Sequence, residues 1–349
     1  MSLGIKVSTE EEGVKVLEVK QVSKLYENKR GVHNIDFSMS RGEIVGFLGP
    51  NGAGKTTTMR MITGYLNPTK GSILVDGLSM ADHPRKARRK IGYLPETPPL
   101  YPEMTVTSYL KFVASLRDVP VREQKQRIGE VIEKLGLQGR ERQIIRSLSK
   151  GYKQRLGLAQ AIVHKPDLLI LDEPTSGLDP KQIIEIRQLI RELGENHTVL
   201  ISTHILPEVN AICNRVLIIN QGVIVLDEHP DRIGGTMGET FEVSLEIKGP
   251  KEDVMRELLE LPDVGVVKEL DRERVEAGST LLQVTAKDRT DIREAVFYQM
   301  AERGYPILGM KKESLSLEDI FLKLTTDEKQ PEEQEPAEPQ EEPEVEKNA

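Results

Sequence analysis

The 349-residue chain contains no tryptophan and a single cysteine, and aromatic residues make up 4% of it. With Cys213 alone, no internal disulfide can form, and a reducing compartment suits such a chain. Cys213 itself reads as a small buried apolar residue. Long hydrophobic runs are also missing. A membrane-spanning helix needs roughly 18 apolar residues or more, whereas LLIL before Asp172 and VLII before Asn220 are only strand-length. The start, MSLGIKVSTEEEG, has neither a basic cluster nor an apolar stretch, so no secretory signal is expected there. No strong basic field exists that would attract nucleic acid. The net charge is -8, but residues 331–349 hold eight Glu and one Lys, so the rest of the chain is close to neutral. That Glu/Pro-rich tail, within 329–349, carries too little apolar surface to fold and is expected to be disordered.

What is present is a repeating order of elements. VLEVKQV, IDFSM and EIVGFL read as strands, and the last runs into a glycine-rich loop and a helical pattern, TTTMRMITGYL. SILVDG and IGYLP are further strands. Residues 104–164 read as helical, with breaks at Pro120, Gly136 and Gly139. LLILD is a buried strand, residues 180–193 a helix with Ile183, Ile186 and Ile190 on one face, and TVLISTH and RVLIIN are strands again. Strands alternating with helices imply a largely parallel sheet covered on both faces, an α/β fold. After Asp227 the pattern changes. FEVSLEI alternates Phe241, Val243, Leu245 and Ile247, and two helices, two strands and SLSLEDIFLKLT follow. The expected organisation is a flexible segment at 1–13, an α/β domain at 14–228, a small α+β domain at 229–328, and the tail.

GPNGAGKTT, residues 49–57, matches G-x-x-x-x-G-K-[ST] between an apolar strand and a helix, the context this phosphate loop requires. Gly49, Pro50, Asn51, Gly52, Ala53 and Gly54 form a loop whose backbone N–H groups, Pro50 having none, can wrap phosphates, and Lys55, Thr56 and Thr57 open the helix. Lys55 can reach the β- and γ-phosphates, and the Thr56 hydroxyl can hold Mg²⁺. LLILDEP supplies two acids. Asp172, ending a buried strand, can bind Mg²⁺, and Glu173 can deprotonate the attacking water. ATP and Mg²⁺ are therefore the expected ligands.

Between these halves lies LSKGYKQRLGLAQAI, residues 148–162, which resembles the signature segment of ABC-type ATPases. SGLD at 176–179 resembles their D-loop, His204 in ISTH their switch histidine, and GYLPE their Q-loop. Tyr26 lies where the family keeps an adenine-stacking aromatic. The resemblance covers about residues 15–227. It implies a P-loop NTPase domain of ABC type with a helical subdomain, followed by the small C-terminal domain and the acidic tail. Lys150 and Tyr152 depart from the usual signature, while Ser149 and Gly151 remain. Glu96 stands in place of the Q-loop glutamine. These changes resemble the ATP-binding subunits of ABC-2-type exporters, including multidrug-type and gliding-motility-associated subunits.

The resemblance implies that Ser149 and Gly151 contact the nucleotide on an opposite subunit, that Asp179 sits at the seam, and that His204 senses the γ-phosphate. One phosphate loop and one signature per chain then call for a homodimer. Glu96 is implied to approach Mg²⁺ and the attacking water. Leu100, Tyr101 and Met104 are implied to line a groove for a short helix of a separate integral membrane permease, while Tyr109 and Phe112 read as core. The expected function is an ATPase driving export, cytoplasmic and held at the inner face of the membrane by that permease. The alternative is a soluble ABC ATPase with a regulatory, nucleic-acid or ribosome-linked role. Against it, only 94 positions separate Lys55 from Ser149, with no sustained heptads.

Overall fold

The computed structural model describes residues 14–26, 31–230, 241–270, 278–288, 290–313 and 317–326. The N-terminal segment and the acidic tail, both expected to lack structure, lie outside these residues.

A six-stranded sheet forms the centre. It comprises β3 (Ile44–Leu48), β6 (Ile91–Leu94), β7 (Leu168–Asp172), β8 (Thr198–Thr203), β9 (Arg215–Asn220) and β10 (Val223–Glu228), in the order β10-β9-β3-β8-β7-β6. All neighbours are parallel except β10, which turns back on β9. Parallel strands buried on both faces require continuous apolar sequence, and β7 (LLILD) meets that requirement at every position. Successive side chains point to opposite faces. Leu168 and Ile170 therefore enter one core while Leu169 and Leu171 enter the other.

The first core lies under an antiparallel sheet of β1 (Lys15–Leu25), β2 (Gly31–Ser40), β4 (Lys70–Val75) and β5 (Leu78–Ser79), together with helix α1 (Lys55–Ile62). The second core lies under helices α3 (Val106–Leu116), α4 (Val121–Lys134), α5 (Lys150–Ile162) and α6 (Pro180–Gly194). Two short helices, α2 (Pro84–Arg89) and α7 (Leu206–Ile212), complete this part. Cys213 packs close to Gly46, and burial pushes its thiol up to about 12, in keeping with a structural role.

Beyond it, β11 (Glu242–Lys248), α8 (Lys251–Leu259), β12 (Val264–Glu269), β13 (Ser279–Ala286), α9 (Arg293–Glu302) and β14 (Ile307–Glu313) follow in the order βαββαβ. The strands form an antiparallel sheet ordered β12-β13-β11-β14, a ferredoxin-like arrangement. Phe241, Val243, Leu245 and Ile247 point to its helix-covered side, as their alternation predicts.

Helix α10 (Leu317–Thr326) departs from the sequence reading, which grouped it with this second unit. Its Ile320, Phe321 and Leu324 pack instead on Leu48, Val209, Val216 and Ile218 of the central sheet region. The Asn220 side chain donates a 2.8 Å bond to the Leu324 carbonyl near the helix end. The apolar spacing fixed the helix and its buried stripe, but the stripe could not tell which sheet would cover it. Phe112 differs as well. Tyr109 is buried and its hydroxyl donates to the Pro99 carbonyl (3.1 Å), whereas Phe112 is 37% exposed and meets Tyr101 edge-on at 5.4 Å.

Candidate active site

The site lies where β3, β7 and β8 end. Gly52 and Gly54 adopt left-handed backbone angles (φ 83° and 111°), which only glycine takes without strain. Gly54 is the N-cap of α1 and offers no side-chain cap, so the first N–H groups of the helix are left for a ligand. The loop is braced from outside by the β9–β10 turn, where the Gly222 N–H donates to the Ala53 carbonyl (3.0 Å). The Lys55 ammonium donates to the Gly49 (2.7 Å) and Pro50 (3.3 Å) carbonyls and stands 3.8 Å from Glu173. Burial lowers the Lys55 pKa, and the charges of Glu173, Asp172 and Glu96 oppose that effect.

The two acids face different partners. Asp172 accepts a 2.6 Å bond from the Ser202 hydroxyl on the neighbouring strand. Burial raises the Asp172 pKa and the Glu96 charge adds to the rise, while Ser202 and Lys55 oppose it. Glu173 follows in the left-handed region (φ 48°), an unusual conformation for a side chain of this size. This twist turns Glu173 toward His204, whose Nδ1 lies 2.9 and 3.0 Å from the two carboxylate oxygens. With the Nδ1 hydrogen directed at the carboxylate, Nε2 remains available to the site. The Glu173 backbone N–H bonds the Ser202 carbonyl at 2.9 Å, so the strand ends are locked together.

A cavity of about 270 Å³ is lined by Asn51, Gly52, Gly54, Lys55, Thr56, Thr57, Glu96, Glu173 and His204. Glu96 also lines a second cavity of about 500 Å³, bounded by Thr97, Pro98, Leu100, Pro102, Ile145, Lys150 and Gln154 among others. The Q-loop acid therefore stands at a wall shared by the phosphate site and the groove beside it.

Of the sequence-selected residues, Gly49, Pro50, Ala53 and Asp172 adjoin this cavity without lining it, and Tyr26, Ser149, Gly151 and Asp179 are not brought to it. Tyr26 follows the end of β1 and is 45% exposed. Ser149 and Gly151 begin α5, with the Ser149 side chain as its N-cap, and Asp179 caps α6 by accepting the Gln182 N–H (2.9 Å). Signature and D-loop meet each other instead. A Cβ on Gly151 would come 2.9 Å from the Gln182 side chain, and one on Gly177 would collide with the Lys150 ammonium. Sequence reasoning missed Ser202, Thr175, Thr203, Gln154 and Glu208, which hold the site from beneath. The only advance signal was the polar end of an otherwise apolar strand, IST, beside LDEPT.

Among the described residues no group of three His, Cys, Asp or Glu could hold a metal by itself. The exposed Thr56 and Glu96 and the buried Asp172 instead suit Mg²⁺ held by a few oxygens together with substrate phosphates.

Fold and site together define a P-loop nucleoside triphosphatase. A family profile described as "ABC transporter" matches residues 32–176. The linearmycin resistance ATP-binding protein LnrL of Bacillus subtilis (strain 168) is 33% identical over 89% of this chain and 98% of its own. The bacitracin transport ATP-binding protein BcrA of Bacillus licheniformis is 34% identical over 88% of this chain and 97% of its own. A dimeric ATP-binding cassette solved after hydrolysis with ADP and Pi superposes with a TM-score of 0.55 at 26% identity, covering 61% of this chain and 98% of that one. The chain belongs to the ATP-binding proteins of ABC transporters and is an ATPase.

Proposed function

We propose that this protein is the ATP-hydrolysing subunit of an ABC-2-type exporter and drives a separate membrane permease. The observation that carries the proposal is the extent of the likeness. Relatives named for bacitracin transport and linearmycin resistance align over 88–89% of this chain, which includes residues beyond the ATPase sheet. No described helix is long and apolar enough to cross a membrane. The working position is the cytoplasmic face of the membrane. The domain limits at 14–228 and 229–328 belong to the same proposal, with α10 returning to the ATPase sheet.

In this reading the loop amides and Lys55 bind the β- and γ-phosphates and stabilise the charge that develops on them. Thr56, Asp172 and Glu96 hold Mg²⁺, which polarises the phosphates. Glu173 takes the proton of the attacking water. His204 orients the Glu173 carboxylate through Nδ1 and offers Nε2 to the γ-phosphate. Ser149 and Gly151 have no nucleotide within their own chain and complete the site of a second copy. Tyr26 stacks on the base. Closing on two ATP molecules brings the copies together, and hydrolysis releases them. Movement reaches the permease through Glu96 and the adjoining groove of Leu100, Tyr101 and Met104.

The test uses Glu173→Gln, which is expected to bind ATP–Mg²⁺ and double its mass in solution while turning over little ATP. The same variant, used as bait in solubilised membranes, should recover a polytopic protein. A monomer at saturating ATP–Mg²⁺, with or without that protein, would refute the shared-site reading. Recovery of ribosomes or DNA would refute export.

A further inference from the structure

Below the catalytic pair lies a carboxylate that the mechanism has not used. Glu208 sits in α7 and is 2% exposed. A carboxylate this deeply buried is costly unless hydrogen bonds and charge compensate it. Both of its oxygens are engaged. Oε1 accepts from the Thr175 hydroxyl, and Oε2 accepts from the Thr203 hydroxyl at 2.9 Å.

These two threonines are placed to matter. Thr175 lies two residues after Glu173, and Thr203 immediately precedes His204. The Thr203 hydroxyl also accepts the Ile205 N–H (3.1 Å), so it shapes the backbone on both sides of the histidine. Pro174, between Glu173 and Thr175, is held from the signature helix by the Gln154 amide (2.7 Å to its carbonyl). Beside the backbone bond from Glu173 to Ser202, three side-chain ties therefore join the end of β7 to the end of β8: Asp172 with Ser202, Glu173 with His204, and Thr175 with Thr203 through Glu208.

The third tie has a further contact. Arg187, on the helix that Asp179 caps, reaches within 3.7 Å of the Glu208 Oε1. Its Nε is buried without a hydrogen-bond partner among the described residues. Arg187 is thus a charge companion to Glu208 rather than its main hydrogen-bond donor, and it connects the carboxylate to the D-loop helix.

We propose that Glu208 is a positioning residue for ATP hydrolysis: it fixes the segment after Glu173 and the segment before His204 in one register, so that base and histidine meet. The proposal rests on the roles given above to Glu173 and His204. It goes further in making a residue with no access to nucleotide set the geometry of the pair. A displacement of about 1 Å between reacting groups can cost on the order of 100-fold in rate, which sets the scale of the effect.

The test compares Glu208→Ala, Glu208→Gln and Thr203→Val in the full chain. ATPase kinetics, binding of a fluorescent ATP analogue and thermal melting are measured for each. Glu208→Ala should lose about 10- to 100-fold in kcat while KM and analogue affinity stay within about twofold. Glutamine has the same length. It can accept from one threonine and donate to the other, so Glu208→Gln should return to within about threefold of the original kcat. Thr203→Val, which keeps shape but removes the bond to Glu208 and the acceptor for the Ile205 N–H, should fall below Glu208→Gln.

A folded Glu208→Ala with unchanged kcat would overturn the proposal. So would loss of analogue binding in step with kcat, which marks a general structural role. If Glu208→Ala does not melt cooperatively, Thr203→Val decides by the same split between kcat and KM. Full activity in Glu173→Gln would instead overturn the underlying assignment. An inactive Glu173→Gln beside a fully active Glu208→Ala would overturn this proposal alone.

Discussion

The ends of β7 and β8 and the interior of the β11–β14 unit are both well packed, yet they differ in what they bury. The first buries Lys55, Asp172, Glu173 and Glu208, with the Lys55 ammonium 3.8 Å from Glu173. The core of the second consists of Val243, Leu245, Ile247, Leu282, Val284 and Met300 with their apolar neighbours. Its buried carboxylate, Glu257, is met at the rim by Arg303 (2.8 Å) and Gln299 (2.9 Å). Buried charge costs stability unless it is paired, so its concentration marks the place where chemistry, not packing, selected the residues. The second unit reads as a packed body that presents a surface, and the first as a reaction site held by polar ties.

The sharpest way to break this comparison is at Glu173. Glu173→Gln should lower ATP turnover by about 10²–10⁴-fold while nucleotide binding survives, as measured by steady-state kinetics and analogue titration. Leu245→Ala tests the other side. It should cost about 2–5 kcal/mol in the unfolding free energy of its unit, with the ATP KM unchanged. A large change in KM would show that the two regions are energetically coupled.

Glu96 stands between the regions of chemistry and contact, and its charge is the variable. Glu96→Gln should keep ATP affinity but reduce the Mg²⁺ dependence of binding by about tenfold, since one charge at close range is worth at most a few kcal/mol in a partly wet site. Titration with ATP, with and without Mg²⁺, reads this directly, and equal Mg²⁺ dependence would remove Glu96 from the cation.

The smallest effect lies at the other end of β6. His164 is partly buried, its ring bonds the Ile91 carbonyl (3.0 Å), and burial lowers its pKa to about 4. A histidine depressed in the folded state stabilises it above the unfolded value, near 6.5, and loses that contribution as the pH falls toward 4. Between pH 7 and 5.5 the loss is about 1 kcal/mol, and His164→Leu should flatten that part of the stability–pH curve.

Much of the fold could be read before any coordinates. The continuous apolar strands required a doubly covered parallel sheet, and the glycine loop between strand and helix required an anion site. The unit after residue 241 showed itself through the strict alternation of Phe241, Val243, Leu245 and Ile247. Reading failed where an apolar stripe had two possible partners. Ile320, Phe321 and Leu324 specify a half-buried helix, but nothing local says that Val216 and Ile218 will cover it. The error over Phe112 has the same origin, because helical spacing shows which residues share a face but not where the packed surface ends.

By itself the sequence determined the phosphate loop, the adjacent acids and the alternation that builds the sheets, because backbone angles and side-chain periodicity act over a few residues. Only the tertiary structure decided that Ser202 would meet Asp172, that His204 would face Glu173, and that Glu208 would join Thr175 to Thr203. Those contacts link strands some thirty residues apart in the chain, and their geometry comes from sheet register and from the left-handed turn at Glu173, which no short stretch of residues encodes.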